Sequence, residues 1–327
     1  MSFWRGRNVF VTGATGLLGS WLTEELVRLG ATVTCLIRDW VPRSRFVGTG
    51  LLERTSVVRG ELEDAPLLLR ALNEYEVDTV FHLGAQTIVG TGVRSAVSTF
   101  EANVRGTWNV LEACRACARV VQRVVVASSD KAYGAHERLP YTEDTPLHGR
   151  SPYDVSKACA DLIALSYFHS YRVPVAITRC GNLFGGGDLN FNRLVPGTIR
   201  SALLGEPPVV RSDGSPVRDY FYVRDAVSAY LRLAERLPGA GLVGEAFNFG
   251  TETPLSVIDA VALILEVAGR PDLVPTVLDE ATDEIPRQFM DCGKARRLLG
   301  WTSEFPFGKG LSETVDWYRR WLGVERT

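Results

Sequence analysis

Short apolar runs alternate with stretches of helical periodicity through the first half of the chain. The runs Asn8–Thr12 (NVFVT), Thr32–Ile37 (TVTCLI), Ser56–Arg59 (SVVR), Thr79–Leu83 (TVFHL), Arg123–Ala127 (RVVVA) and Val175–Arg179 (VAITR) are predicted strands. Near-continuous apolar runs of this length mark strands buried on both faces. Between them the pattern predicts helices over Leu17–Gly30, Ala65–Tyr75, Val93–Cys117 and Ser151–Tyr171. The third reads as one long helix with Glu112 and Arg115 on its polar side. After Cys180 the texture changes: Gly185-Gly186-Gly187 and Pro207-Pro208 punctuate loops. Arg218–Asp225 and Glu245–Phe249 read as sheet-associated pieces, and Ser256–Ala268 and Lys294–Leu299 as helices.

Strand–helix alternation with crossovers implies a parallel sheet covered by helices on both faces. This is the doubly wound α/β architecture of a Rossmann domain. The expected division is 1–180 for that domain, with a return segment near 215–250, and 181–327 mainly for a smaller α/β substrate lobe. A length of 327 residues suits two lobes at roughly 150 residues each.

Composition narrows the partners. Hydrophobic residues make up 46% and charged residues 23%, ordinary for a globular protein. A net charge of −2 lends nothing to nucleic-acid binding. The chain holds no apolar run of bilayer-spanning length, and its first eight residues lack the charged-then-apolar layout of a signal peptide. The expectation is a cytoplasmic protein with neither membrane nor nucleic acid as partner. Cys35, Cys114, Cys117, Cys159, Cys180 and Cys292 are scattered, as reduced thiols rather than a disulfide framework. Cys114 and Cys117 form a C-x-x-C pair, but no second Cys/His pair completes a zinc site. No metal is expected.

Two motifs bring chemistry. The first strand ends in Gly13-Ala14-Thr15-Gly16-Leu17-Leu18-Gly19, a G-x-x-G-x-x-G spacing between strand and helix. Glycines there permit the turn and let backbone N–H groups at a helix start approach a pyrophosphate. At the end of the second strand, Ile37 takes the usual acidic position, Arg38 favours NADP and Asp39 admits NAD. Both cofactors stay open. The second motif is Tyr153-x-x-x-Lys157. On a helix the two share a face, and a lysine ammonium beside a phenol is expected to lower the tyrosine pKa from about 10. Such a tyrosinate could take a hydroxyl proton while nicotinamide takes hydride. Ser129, Asp130 and Lys131 follow the fifth strand, where the carboxyl ends of parallel strands face the ligand crevice.

Together these residues resemble the extended short-chain dehydrogenase/reductase family, in its sugar-nucleotide epimerase/dehydratase branch, over essentially the whole chain. The matching motifs are Gly13–Gly19, His82-Leu83-Gly84-Ala85-Gln86, Asn103-Val104-Arg105-Gly106-Thr107, the Ser129, Tyr153 and Lys157 triad, Arg179-Cys180-Gly181-Asn182, Arg218-Asp219-Tyr220 and Leu299-Gly300-Trp301. The resemblance implies NAD(P) contacts at Gly13, Thr15, Gly16, Leu17, Leu18, Gly19, Arg38, Asp39, Glu61, Leu62, Leu83, Ala85, Gln86, Asn103, Tyr153 and Lys157. It implies a nucleotide-diphosphate sugar on Gln86, Ser129, Asn182, Arg193, Arg211, Arg218 and Arg287, since arginine forks suit phosphate oxygens.

Epimerases of this family carry small or apolar residues after the serine. Asp130-Lys131 instead resembles the Ser-Asp-Lys of CDP-glucose 4,6-dehydratases, as do Gly186-Gly187-Asp188 and Arg193-Leu194-Val195-Pro196. That resemblance implies oxidation at carbon 4 with Tyr153, removal of the carbon 5 proton by Lys131, and protonation of the departing carbon 6 hydroxyl by Asp130. The product would be a 4-keto-6-deoxy sugar. A 4-epimerase and a GDP-mannose 4,6-dehydratase-like enzyme, which the Arg38 position resembles, remain alternatives. A non-catalytic NAD(P)-binding sensor ranks last, because it has no need of all three triad residues. The family's pairing of the two long helices implies a homodimer.

Overall fold

The computed structural model describes residues 2–239, 241–281 and 284–324. Strands β1 (Asn8–Thr12), β2 (Thr32–Ile37), β3 (Ser56–Arg59), β4 (Thr79–His82), β5 (Arg123–Ala127) and β6 (Val175–Cys180) form where the apolar runs fall. Helices α1 (Leu17–Arg28), α2 (Arg45–Gly48), α3 (Ala65–Glu74), α4 (Val89–Arg94), α5 (Ala96–Phe100), α6 (Gly106–Ala116) and α7 (Pro152–Tyr171) connect them. The second half supplies β7 (Asn182–Phe184), α8 (Leu194–Leu204), β8 (Val209–Val210), β9 (Val217–Arg218), β10 (Tyr220–Tyr222), α9 (Val223–Arg236) and β11 (Ala246–Phe249). There follow β12 (Leu255–Ser256), α10 (Val257–Ala268), β13 (Thr276–Val277), β14 (Arg287–Gln288), α11 (Gly293–Leu299) and α12 (Phe307–Leu322).

The central sheet has seven strands in the order β11-β6-β5-β4-β1-β2-β3. All its pairings are parallel. The doubly wound α/β expectation is therefore borne out, and the return of the second half to the first sheet is β11. Why the strands read as unbroken apolar runs is visible in the core. Val9 and Val11 enter the core on one face, and Phe10 the other. Val125 and its neighbours Val124 and Val126 divide the same way. Alternate side chains leave a strand in opposite directions, so a strand covered on both faces must be apolar at every position.

The helix from Val93 to Cys117 is not continuous. Ser95 adopts φ −145°, ψ 81°, which separates α4 from α5. The stretch Glu101–Arg105 then widens into a π-helical turn. Such a turn inserts an extra residue per hydrogen-bonded ring and is common where a side chain must be re-aimed. Here it carries Asn103. The Arg218–Asp225 piece also differs from expectation: β9 and β10 account for its start, but helix α9 begins at Val223. β10 pairs with β7 and not with the central sheet. By contrast, α7 starts as its sequence demands, with Ser151 accepting from the Asp154 N–H and Pro152 in the first turn.

Candidate active site

The order of the central sheet reverses between β1 and β4, and ligand crevices form outside the carboxyl ends of strands at such a point. A cavity of about 1000 Å³ opens there. Gly13, Thr15, Gly16, Leu17, Leu18 and Gly19 all line it. Gly13 has φ +73°, and a Cβ on it would lie 2.8 Å from the Gly84 nitrogen. On Gly19 a Cβ would meet the Gly13 carbonyl oxygen at 2.1 Å. Both distances exclude a side chain. Gly16 is the N-cap of α1 and no side chain caps that helix, so its first turn offers N–H groups and the positive end of its dipole. This glycine cradle fits a dinucleotide pyrophosphate.

A buried hydrogen-bonded cluster shapes the wall beside the cradle. Thr12 Oγ1 lies 2.9 Å from His82 Nδ1 and accepts from the Leu83 and Gly84 N–H groups at 3.1 and 2.9 Å. His82 Nε2 lies 3.1 Å from Thr107 Oγ1. Burial, with the charge of Lys157 second, lowers the His82 pKa to about 3. His82 is thus a neutral brace.

The expected cofactor residues divide in space. Arg38, Asp39, Leu62, Leu83 and Ala85 line the cavity, and Arg38 Nε pairs with Asp39 at 2.7 Å on the exposed rim. Glu61, Gln86 and Asn103 do not line it. Asn103 is buried, and its Oδ1 accepts from the Gln86 N–H at 2.7 Å. Its Nδ2 donates to the Gln86 carbonyl at 3.0 Å and to Ser156 Oγ at 2.9 Å. The amide is used up in tying the π-helical turn to the wall loop and α7, so it braces the site rather than facing it.

Ser129, Asp130, Lys131, Tyr153 and Lys157 converge on the cavity. Ser129 caps the short 3-10 turn Asp130–Tyr133. Its Oγ donates to Asp130 Oδ1 at 3.0 Å and accepts from the Lys131 N–H at 3.2 Å. Asp130 Oδ2 is buried with no partner among the described residues. Burial pushes the Asp130 pKa up to about 6, against the opposing charge of Lys131 and the Ser129 hydrogen bond. Burial also lowers Lys131, whose Nζ donates to Gln288 Oε1 at 2.7 Å.

One expectation about this cluster is corrected. Tyr153 is not lowered by Lys157. Burial raises its pKa to about 12, and the charge that most opposes burial is that of Arg193. Lys157 donates instead to the Ala127 carbonyl at 2.8 Å, and burial lowers its own pKa to about 8. Sharing a helix face set the direction of the two side chains. The desolvation of a phenol set its proton affinity.

Asn182, Arg193, Arg211 and Arg218 also line the cavity. Arg193 pairs with Asp188 at 2.8 Å and donates to Thr87 Oγ1 at 3.0 Å. Arg211 donates to Asn192 Oδ1 at 2.9 Å. Arg218 is buried and pairs with Glu284 at 2.8 Å. Arg287 is not brought to the cavity: it is exposed, and its guanidinium lies 5.6 Å from the Phe289 ring centre. Sequence reasoning missed Asn192 and Glu284. Glu284 lies 66 positions from Arg218 in a loop, with no motif to mark it. Among the described residues no cluster of His, Cys, Asp or Glu could hold a metal ion. No helix among them is long and apolar enough to cross a membrane.

Residues 9–250 match the NAD dependent epimerase/dehydratase family. The chain is 32% identical to CDP-glucose 4,6-dehydratase of Salmonella typhimurium, covering 99% of this chain and 94% of that protein. Among solved structures, the dTDP-glucose 4,6-dehydratase DesIV of Streptomyces venezuelae with NAD bound superposes with a TM-score of 0.86. That match has 29% identity over 96% of this chain and 97% of that one. UDP-glucose 4-epimerase of Thermotoga maritima, solved with UDP-glucose, also reaches 0.86, at 26% identity over 96% of this chain and 99% of that one. The family resemblance read from the sequence motifs is borne out.

Proposed function

The chain belongs to the NAD dependent epimerase/dehydratase family, and within it we propose a sugar-nucleotide 4,6-dehydratase, most like the CDP-glucose enzymes. The observation that carries the reading is the Asp130–Lys131 pair on the cavity wall. Burial raises the acid towards neutrality and lowers the base. Two groups whose environments move their proton affinities in these directions suit an acid and a base acting together.

The residues take these parts. The cradle Gly13–Gly19 holds the pyrophosphate, and Arg38 and Asp39 meet the adenosine end. Bound NAD would accept the hydride from carbon 4 and later return it to carbon 6. Tyr153, ionised when the positive charge of a bound nicotinamide offsets its burial, takes the proton of the sugar's 4-hydroxyl at Oη, with Ser129 Oγ on the same oxygen and Lys157 orienting the ribose. The carbon 4 ketone acidifies the neighbouring C–H, and Lys131 Nζ removes the carbon 5 proton. Asp130 donates its proton to the carbon 6 oxygen, which leaves as water. Lys131 returns a proton to carbon 5. Asn182, Arg193, Arg211 and Arg218 bind the nucleoside diphosphate. The Asp188 and Glu284 carboxylates hold two of those guanidiniums in place. A 4-epimerase would use Tyr153 alike but has no work for a buried acid beside a lowered lysine.

Incubation with CDP-, dTDP-, UDP- and GDP-sugars, followed by mass spectrometry, is expected to show loss of one water and a 4-keto-6-deoxy product. Unchanged mass with inverted carbon 4 would select the epimerase. No turnover of any member would sink both. The pH profile gives a finer check. The acid must hold its proton to give it to the carbon 6 oxygen, and Asp130 is half protonated at about 6. Above that pH its protonated fraction falls, which offsets the gain in free amine at Lys131. Dehydration is expected to break near pH 6 in the wild type, and the residual rate of Asp130→Asn to keep climbing past that point. A wild-type rate that rises unbroken through pH 6 would take Asp130 out of the acid role.

The same reading assigns 1–180, with a return near 215–250, to cofactor binding, and most of 181–327 to the nucleotide sugar. It also pairs two copies through α5, α6 and α7, where Val97, Phe100, Trp108 and Leu162 stand exposed. Sedimentation as a monomer at micromolar concentration would overturn the pairing. Six free thiols, five of them buried, fit work in the cytoplasm.

A further inference from the structure

Gln288 has no place in the motifs that mark the site, yet it makes the direct contact with Lys131. The two lie 157 positions apart, and Nζ donates to Oε1 at 2.7 Å. Gln288 sits in β14, in register with Arg218 of β9, and its side chain is wholly buried. Its Nε2 has no hydrogen-bond partner among the described residues. A buried donor left unmet costs on the order of 1–3 kcal/mol, and an apolar side chain of similar shape would avoid that cost. Packing therefore does not account for a glutamine here, whereas the contact with Lys131 does.

The kind of acceptor matters. Lys131 is faced by Asp130 beside it, Asp154 on α7, Arg218 on β9 and Glu284 ahead of β14. The group in direct contact is none of these charges but a neutral amide. A carboxylate at that distance would favour the ammonium, and an ammonium has no lone pair with which to take a proton. An amide oxygen accepts an N–H from ammonium and free amine alike. It can hold Nζ in one place while favouring the ammonium far less than a carboxylate would.

We infer that Gln288 is the positioning residue of Lys131, fixing Nζ at the cavity wall through a neutral acceptor so that the free amine is available as a base. The inference rests on the role proposed above for Lys131; its test reads the amine directly. Full-length wild-type protein, Gln288→Glu and Gln288→Met are pulse-labelled with acetic anhydride across a pH series. The Lys131 peptide is quantified by mass spectrometry against exposed Lys309. Gln288→Glu is expected to raise the labelling midpoint of Lys131 by about one to three pH units. Gln288→Met, which removes the acceptor of the ammonium, is expected to lower it. The same midpoint in all three proteins would overturn the inference. Should the glutamate variant fail to fold, an unchanged midpoint in Gln288→Met alone would do so.

Turnover adds a second readout. Gln288→Met is expected to lower kcat for dehydration with KM for the sugar nucleotide little changed, because Gln288 touches the base and not the cavity. A rise in KM at constant kcat would assign it to substrate binding instead and overturn the positioning role. If no sugar nucleotide loses water in the wild type while the midpoints move as described, the dehydratase reading falls and the Lys131–Gln288 coupling stands.

Discussion

Lys131→Ala is expected to lower dehydration by about 10²- to 10⁴-fold, the usual contribution of a positioned general base, while oxidation at carbon 4 continues. The two steps use different groups. Tyr153 on α7 takes the hydroxyl proton, and Lys131, in the turn after β5, takes the carbon 5 proton. Removing the lysine leaves Tyr153, Ser129 and Lys157 in place. Its effect on them is small because the Lys131 side chain is bonded to Gln288 and not to any of the three. The measurement is exchange of the carbon 5 hydrogen with deuterium from solvent, followed alongside formation of the 4-keto-6-deoxy product. Both should fall together in the variant, while the unreduced 4-keto hexose becomes detectable. Wild-type exchange and product formation in Lys131→Ala would remove this residue from the chemistry.

The second large effect is on stability. Asp161→Ala is expected to destabilise the fold by about 3–5 kcal/mol, the range for removing one partner of a buried ion pair. Asp161 on α7 and Arg179 on β6 are both buried, and they meet bidentately, Nε to Oδ2 at 2.8 Å and Nη2 to Oδ1 at 2.9 Å. The remaining donors of Arg179 reach Tyr133 Oη at 2.9 Å and the Glu143 carbonyl at 3.0 Å. Tyr133 closes the 3-10 turn that presents Asp130 and Lys131, so the pair supports the site as well as the core. Urea unfolding of the variant measures the loss. The double variant Asp161→Leu, Arg179→Met is expected to recover part of it, since two apolar side chains leave no uncompensated charge. A single variant within about 1 kcal/mol of wild type would show that the guanidinium finds water or another partner there.

These results separate what is written along the chain from what the fold creates. The strands were legible because each is covered on both faces: Phe10 and its neighbours Val9 and Val11 go to opposite cores, so the whole run must be apolar. Gly13 and Gly19 were legible for a steric reason of the same directness, as no other residue fits a 2.1 Å or 2.8 Å gap. Tyr153 and Lys157 were legible because helical spacing puts them on one face. In each case the physical cause lies within a few residues of the signal.

What periodicity could not reveal depends on distant partners. Ser95 breaks a helix whose pattern runs on. Asn103 looks like a ligand until Gln86 and Ser156 are found to occupy it. The acid that holds Arg218 and the amide that holds Lys131 arrive from beyond position 280, on and just ahead of β14, which pairs with β9 over two residues. Proton affinities belong to the same class. Sequence placed Lys157 one turn from Tyr153 and suggested a lowered phenol, whereas burial raises it, because desolvation is set by everything packed around a group. Local spacing determined which chemistry is present. Only the tertiary structure decided which charges are dry, which are paired, and hence which residues can give or take a proton.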